Sequence, residues 1–286
     1  MKSGTVMLIG RPNVGKSTLV NNIIGQKVAI TSPKPQTTRF AIEALYEDPR
    51  GQIIFVDTPG IFNKATDALS KKINSQTLQT LGDKIDLVLY IVDPTRKRDF
   101  EEAKVLGIVR KIDKPKILVV NKEDEEQKYL PQYKFLESEF DSVVSVSALK
   151  RKNIKTLLDT IFEKLPEGEA LIDKKDYIYP ALNMDSTVFI AELIREKLFL
   201  QLRREVPYTA TVVVDEIKER NDSLTYIRAR ILTTTDVYKK MIIGAGGKRI
   251  KEFGSMARVE LEGATGRKIY LDITVEVDKH WMQTMA

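Results

Sequence analysis

The chain has 286 residues, 42% hydrophobic and 30% charged, with a formal net charge of +6. It holds no cysteine and one histidine, His280, which excludes disulfides, thiol catalysis, cysteine-bound zinc and a histidine metal cluster. The length suggests two domains, the mild basic excess is compatible with nucleic acid, and no apolar run approaches the roughly 18 residues of a membrane span, so a cytoplasmic protein is expected.

Met1-Lys2-Ser3-Gly4 leads straight into an apolar strand, Thr5–Ile9, rather than into a signal peptide. Gly10-Arg11-Pro12-Asn13-Val14-Gly15-Lys16-Ser17-Thr18 follows and fits G-x-x-x-x-G-K-S/T, the phosphate-binding loop. An amphipathic run, Ser17–Ile24, reads as the helix that this loop requires. Glycines let the backbone wrap a phosphate, and the loop N–H groups and the helix N-terminus face the anion. Gly10, Asn13, Val14, Gly15, Lys16, Ser17 and Thr18 are the nucleotide-contact candidates, with Lys16 on the β- and γ-phosphates and Ser17 on Mg²⁺.

The stretch Ile30–Arg39 carries two prolines and several hydroxyls and reads as a loop. Its position suits a threonine that completes the Mg²⁺ shell, and Thr37 and Thr38 both remain candidates. Two strands, Phe40–Tyr46 and Gln52–Val56, read as a hairpin closed by Asp48-Pro49-Arg50-Gly51. The second ends in Asp57-Thr58-Pro59-Gly60: the aspartate can hold Mg²⁺ through water, and Gly60 offers an N–H to a γ-phosphate. Ile61 stands where Ras-like enzymes place the glutamine that orients water, so slow intrinsic hydrolysis is expected.

Asp86–Asp93 is a continuous apolar strand of the kind buried on both faces. A charged helix near Asp99–Lys111 and a strand, Lys116–Val120, lead to Asn121-Lys122-Glu123-Asp124. This N-K-x-D points to guanine: the Asp124 carboxylate matches a pair of N–H donors that adenine lacks. Asn121 suits the opposite edge of the base, and Lys122 the nucleotide loops. A strand, Val143–Val146, then gives Ser147-Ala148-Leu149-Lys150, and a helix near Asn153–Leu165 closes the first half. Alternating strands and helices predict a doubly wound α/β sheet, mixed and mostly parallel, with ligand at the strand C-termini.

Pro166–Asp185 is polar and turn-rich and reads as a linker. A helix at Thr187–Leu202, stopped by Pro207, precedes a strand at Thr209–Val214, a charged turn at Asp215–Asp222 and a second strand at Leu224–Leu232. A helix near Asp236–Ile243 runs into Gly244-Ala245-Gly246-Gly247, another helix starts near Lys248, and Lys268–Val277 is the last strand. A GxxG turn between two helices clamps single-stranded nucleic-acid backbone in KH domains. Lys239, Lys240, Ile243, Lys248, Arg249 and Lys251 surround the turn and complete the RNA-binding set. The competing reading makes the second half a protein-interaction module, with the turn merely structural.

GRPNVGKST, QTTR, DTPG, NKED and VSAL, followed by Ile194–Leu198, Glu205–Tyr208 and Ile242–Lys251, together resemble the Era family of bacterial GTPases, within the TrmE-Era-type GTPases. The resemblance covers nearly the whole chain. It implies a Ras-like phosphate-loop GTPase domain over 1–168, a linker over 169–186, and an α+β KH domain of type II over 187–286. It implies GTP and GDP as ligands, Mg²⁺ as cofactor, and K⁺ beside the phosphates at Asn13, unless Asn13 only shapes its loop. Lys16, Thr38 and Gly60 are then the catalytic candidates, and Ser17, Thr37, Thr38 and Asp57 the metal candidates. Asp57, Thr58, Pro59, Gly60, Asn121, Lys122, Asp124, Ser147, Ala148 and Leu149 join the phosphate loop as nucleotide contacts, with a backbone N–H near Ala148 on the guanine O6. The resemblance also implies a monomer that binds the 3′ end of 16S rRNA, assists assembly of the small ribosomal subunit, and associates peripherally with the inner membrane. Ala245 stands where the family often has lysine, which removes one phosphate contact.

Overall fold

The computed structural model describes residues 1–25, 27, 42–57, 85–172, 186–221, 223–265 and 267–284. The chain divides into two compact units, and each is taken by itself.

In the first unit, apolar runs buried on both faces at the centre form a six-stranded sheet. The strands are β1 (Lys2–Ile9), β2 (Ile42–Asp48), β3 (Gly51–Asp57), β4 (Leu87–Val92), β5 (Lys116–Val120) and β6 (Ser142–Ser145). Their order is β2-β3-β1-β4-β5-β6, and every pair is parallel except β2 with β3. The alternation sends side chains to two cores. Val6, Leu8, Phe55, Leu89, Ile91 and Val119 pack with Leu19, Val20, Leu157 and Ile161, from α1 (Lys16–Ile24) and from α3 (Ile154–Lys164). Met7, Val56, Val88, Tyr90, Val92 and Leu118 face the other way, against Val105, Leu106 and Val109 of α2 (Phe100–Lys111). Asp99 caps α2, its side chain accepting from the Glu102 N–H, as expected of an N-cap aspartate.

Parallel pairing puts the C-terminal ends of β1, β3, β4, β5 and β6 on one edge. That edge is where Gly10, Asp57, Asp93, Asn121 and the Ser147 loop emerge, as expected of a doubly wound sheet.

The stretch from Pro166 is not free chain at its start. Ser3 donates to the Pro166 carbonyl, and the buried Gln52 amide accepts from Leu171 and Ile172 and donates back to the Ile172 carbonyl. The first unit therefore holds the chain as far as residue 172.

The second unit runs α4 (Ser186–Gln201), β7 (Ala210–Asn221), β8 (Leu224–Thr233), α5 (Asp236–Ile243), a turn, α6 (Lys248–Thr265), β9 (Lys268–Val277) and a short α7 (Trp281–Thr284). The sheet order is β7-β8-β9, with β7 antiparallel and β9 parallel to β8. Ile227, Ala229 and Ile231 of β8 pack with Ile194 and Leu198 of α4 and Phe253, Ala257 and Leu261 of α6. Trp281 is buried, its indole N–H donating to the Thr209 carbonyl.

Two expectations are corrected here. The charged turn at Asp215–Asp222 is strand as far as Asn221, with a bulge between Val214 and Glu216. Its charges suit a strand because partners stand opposite: Arg230 binds Asp215 at 2.8 Å, and Arg228 lies 3.9 Å from Glu216. Pro207 does not stop α4, which ends at Gln201; it sits in a separate 3₁₀ turn, Val206–Thr209.

Candidate functional site

The phosphate loop has two glycines that nothing else replaces. A Cβ on Gly10 would lie 2.4 Å from the Ile91 carbonyl oxygen. Gly15 has φ +101°, and its Cβ would lie 2.2 Å from Asn121 Nδ2. Asn13 also has positive φ, +64°, a conformation that asparagine takes more readily than most residues. Lys16 opens α1 and is buried. Its ammonium donates to the carbonyls of Gly10 (3.0 Å) and Arg11 (3.1 Å). Burial lowers its pKa, with Asp57 as the main opposing charge.

Ser17 and Asp57 meet across the site. The Ser17 hydroxyl donates to Asp57 Oδ2 at 2.6 Å. Asp57 is fully buried, and among the described residues its Oδ1 has no hydrogen-bond partner. Burial pushes the Asp57 pKa up, while Lys16 and the Ser17 bond pull it back. A buried carboxylate oxygen without a partner is costly, and a serine hydroxyl beside a carboxylate is the hard-oxygen donor set that Mg²⁺ takes together with waters and phosphate. The residues fit that ion. Among the described residues no group of three or more acidic or histidine side chains could hold a metal without such help.

Asn121 ties three loops together. Its Nδ2 donates to the Val14 carbonyl at 2.7 Å, and its Oδ1 accepts from the Ala148 N–H at 2.9 Å. Both ends of the amide, expected at the base, are engaged with backbone, and so is the Ala148 N–H expected at the guanine O6. Lys122 has φ +62° and pairs with the buried Asp93 at 2.7 Å. Asp124 is exposed, and its Oδ1 accepts from the Ser147 hydroxyl at 2.5 Å. The Lys150 N–H donates to that same hydroxyl oxygen. Leu149 projects into solvent at 66% exposure, and Thr18 is half-buried at the start of α1. Thr37, Thr38, Thr58, Pro59, Gly60 and Ile61 lie outside the described residues.

The second loop residue, Arg11, gave no signal in the sequence and proves to be an anchor. Its guanidinium is 1% exposed and meets the buried Glu102 at 2.6 Å and Asp99 at 3.0 Å. It also donates to the Tyr133 hydroxyl, and Tyr90 donates to Glu102. The loop is thus fastened to α2 through a buried ion pair.

In the second unit, Gly244, Gly246 and Gly247 all have positive φ, at +72°, +58° and +73°. A Cβ on Gly244 would lie 2.7 Å from Arg249 Cβ, whereas one on Gly246 would meet nothing within 4 Å. Ala245 and Gly246 are exposed, and Ile243 is half-buried beside them. Lys240, Lys248, Arg249 and Lys251 are exposed, and Lys239 partly so. The Arg249 guanidinium donates to the Met241 carbonyl and so closes the turn. The turn therefore offers an open backbone surface under a local positive charge.

Known proteins give the same division. A sequence model of the family described as 50S ribosome-binding GTPase matches residues 5–122, and one described as KH domain matches residues 205–282. GTPase Era of Halothermothrix orenii is 41% identical over 285 residues, covering 99% of this chain and 95% of its own length. The chain belongs to the GTPase Era family. Era of Thermotoga maritima is likewise 41% identical, over 291 residues, covering 99% of this chain and 94% of the relative. A crystal structure of a variant of Aquifex aeolicus Era bound to GDP and aluminium fluoride superposes with a TM-score of 0.90 at 36% identity, covering 99% of this chain and 96% of that one. A structure of Era with MgGDPNP and nucleotides 1506–1542 of 16S ribosomal RNA gives 0.89 at 36% identity, with the same coverage. The fold is accordingly that of Era: a mixed, mostly parallel GTPase sheet followed by a C-terminal KH domain. Among the described residues no helix is long and apolar enough to cross a membrane.

Proposed function

We propose that the first unit binds and hydrolyses GTP, and that the second binds the 3′ end of 16S rRNA through its GxxG turn, so that the protein assists assembly of the small ribosomal subunit. One observation carries the reading: a buried Lys16, a buried Asp57 with an oxygen unpartnered among the described residues, and Asp124 share one sheet edge in a chain that also carries an open glycine turn under lysines. The description of the matched GTPase model names the large subunit. The Era structure with 16S RNA nucleotides supports the small one, and it matches along nearly the whole chain rather than over the GTPase unit alone.

In this mechanism Lys16 exchanges its two carbonyl partners for the β- and γ-phosphate oxygens, so its charge is regained where the substrate is anionic. Ser17 and Asp57 hold the metal side of the phosphates. Mg²⁺, when bound there, supplies positive charge against the oxygens of the transferring group. Asp124, kept in place by Ser147, accepts from the two guanine donors, and Asn121 holds Val14 and the Ala148 loop around the base. Lys16, Thr38 and Gly60 serve the transferring phosphate. We further assign Asn13 as a K⁺ ligand, because its amide oxygen is a hard donor in the loop that wraps the phosphates and Ile61 cannot align water. K⁺ would add positive charge to the developing transition state.

The test is hydrolysis at saturating GTP and Mg²⁺ in K⁺ and in Na⁺ at matched ionic strength. Faster turnover in K⁺, with the difference lost in Asn13→Gly, supports the assignment; glycine accepts the φ of +64°. Equal rates in the two salts remove K⁺ from it. Absence of any GTP turnover, with the 16S RNA segment or without it, would overturn the reading as a whole.

A further inference from the structure

The sheet of the second unit has two faces. Thr225, Ile227, Ala229 and Ile231 of β8 lie against the helices, and Tyr226, Arg228 and Arg230 alternate onto the other face. On that face Tyr226 and Tyr270 are register partners on neighbouring strands. Their rings stack at 5.8 Å between centroids and 23° between planes. The Arg220 guanidinium lies 4.7 Å from the Tyr226 centroid and 5.8 Å from that of Tyr270. The Tyr226 hydroxyl donates to Asp272 at 3.1 Å, which fixes the ring.

A cross-strand aromatic pair by itself stabilises a sheet. Three features here go further. Tyr270 stands on β9, an edge strand, and is 57% exposed, so the stack ends in solvent. Arg220 and Lys268 have no carboxylate partner among the described residues, while the acids around them are engaged: Asp272 by Tyr226, Glu219 by Arg267, Glu216 by Lys218 and Arg228. Lys268 and Tyr270 share one face of β9 about 6.6 Å apart, a spacing that suits the phosphate and base of one nucleotide.

We propose that Arg220, Tyr226 and Tyr270, with Lys268, form a second RNA subsite on the open face of the KH sheet, which stacks an unpaired base on Tyr270. Aromatic faces take any base, and flanking cations take the backbone. The subsite is separate from the GxxG turn. The 18-residue α6, about 27 Å long at the usual helical rise, runs between the turn and the start of β9. Its occupant is single-stranded RNA that continues past the clamp, so the proposal rests on the RNA-binding reading given above.

The experiment uses the full chain and two RNAs: the segment of nucleotides 1506–1542 of 16S rRNA, and the tightest-binding short fragment from a set tiled across it. Tyr270→Ala should weaken the long RNA roughly tenfold, the usual size of one lost base stack. It should leave the short fragment and RNA-free GTP hydrolysis unchanged. Tyr270→Phe, which keeps the ring, should bind the long RNA like wild type. Thiouridine-substituted long RNA, irradiated on the wild-type protein, should leave an adduct on the peptide that contains Tyr270. Unchanged long-RNA affinity in a folded Tyr270→Ala, or adducts confined to residues 239–251, would overturn the subsite. Gly246→Asp separates the two readings. Its loss of both RNAs beside an inert Tyr270→Ala leaves the clamp standing alone, whereas its failure to weaken either RNA removes the clamp.

Discussion

Asn121 is where fold and nucleotide site are most tightly joined, and replacing it tells strap from base reader. Asn121→Ala removes two buried bonds, to Val14 at 2.7 Å and to Ala148 at 2.9 Å. Each such bond contributes about 0.5–1.5 kcal/mol, and each orphaned backbone group costs about 1–3 kcal/mol. Water entering the vacated space relieves part of this, so a loss of about 2–5 kcal/mol is expected in the nucleotide-free first unit. At a urea slope of roughly 2 kcal/mol per molar, the unfolding midpoint falls by about 1–2.5 M. The chain has two units, so a single bulk signal would mix two transitions; hydrogen exchange of α1 and β5 amides against urea reads the first unit alone. A residue that acts only as a strap makes no contact with the base. Affinities for GTP and for 7-deaza-GTP, which lacks the N7 acceptor on the edge of the base opposite Asp124, should therefore fall by the same factor. An unchanged exchange midpoint, together with a loss confined to GTP, would refute the strap and make Asn121 a base reader.

Three further outcomes follow from the same geometry. Asp124→Asn should shift preference from GTP toward xanthosine triphosphate, since an amide presents a donor where the carboxylate accepted; competition binding with the two nucleotides checks it, and unaltered selectivity would clear Asp124 of the role. Asp57 has a raised pKa, and metal binding needs its ionised form, so the Mg²⁺-dependent part of nucleotide affinity should fall on acidification before an ordinary aspartate would protonate. Titrations with and without Mg²⁺ from neutral to acid pH should show that fall, and Asp57→Asn should abolish the Mg²⁺-dependent part at every pH. Gly246→Asp should abolish RNA binding in a gel-shift titration while RNA-free GTP hydrolysis survives. Aspartate is among the residues that best tolerate a φ of +58°, and its side chain has open space to enter, so the variant tests charge rather than folding.

What the sequence made legible was what backbone geometry demands locally. Gly10 and Gly15 are readable because a Cβ there collides with Ile91 or Asn121, and the central strands because they are short continuous apolar runs, as strands buried on both faces are. The partners of a side chain were not readable where they come from far along the chain. Asn121 reaches Val14 and Ala148, and Arg11 reaches Glu102 and Tyr133; no local pattern announces pairs that the sheet order brings together. Arg11 occupies a position that the loop motif leaves unspecified, so its burial beside Glu102 had no signal. The charged stretch Asp215–Asn221 was misread for the opposite reason. Its residues look like a turn one by one, and only the cations across on β8 make a strand of them. Gln52 shows the same limit, since its hold on Leu171 and Ile172 lies well over a hundred positions away.

The central claim is that one chain couples a guanine-nucleotide site to a clamp for the 3′ end of 16S rRNA. The most direct measurement is sequencing of the RNA crosslinked to the purified protein from total RNA, once with GTP and once with GDP. The account predicts crosslinks concentrated at the 3′ end of 16S rRNA, stronger or weaker according to the nucleotide, and lost in Gly246→Asp. Crosslinks scattered over all RNAs, or gathered on large-subunit RNA, and the same with either nucleotide, would contradict it.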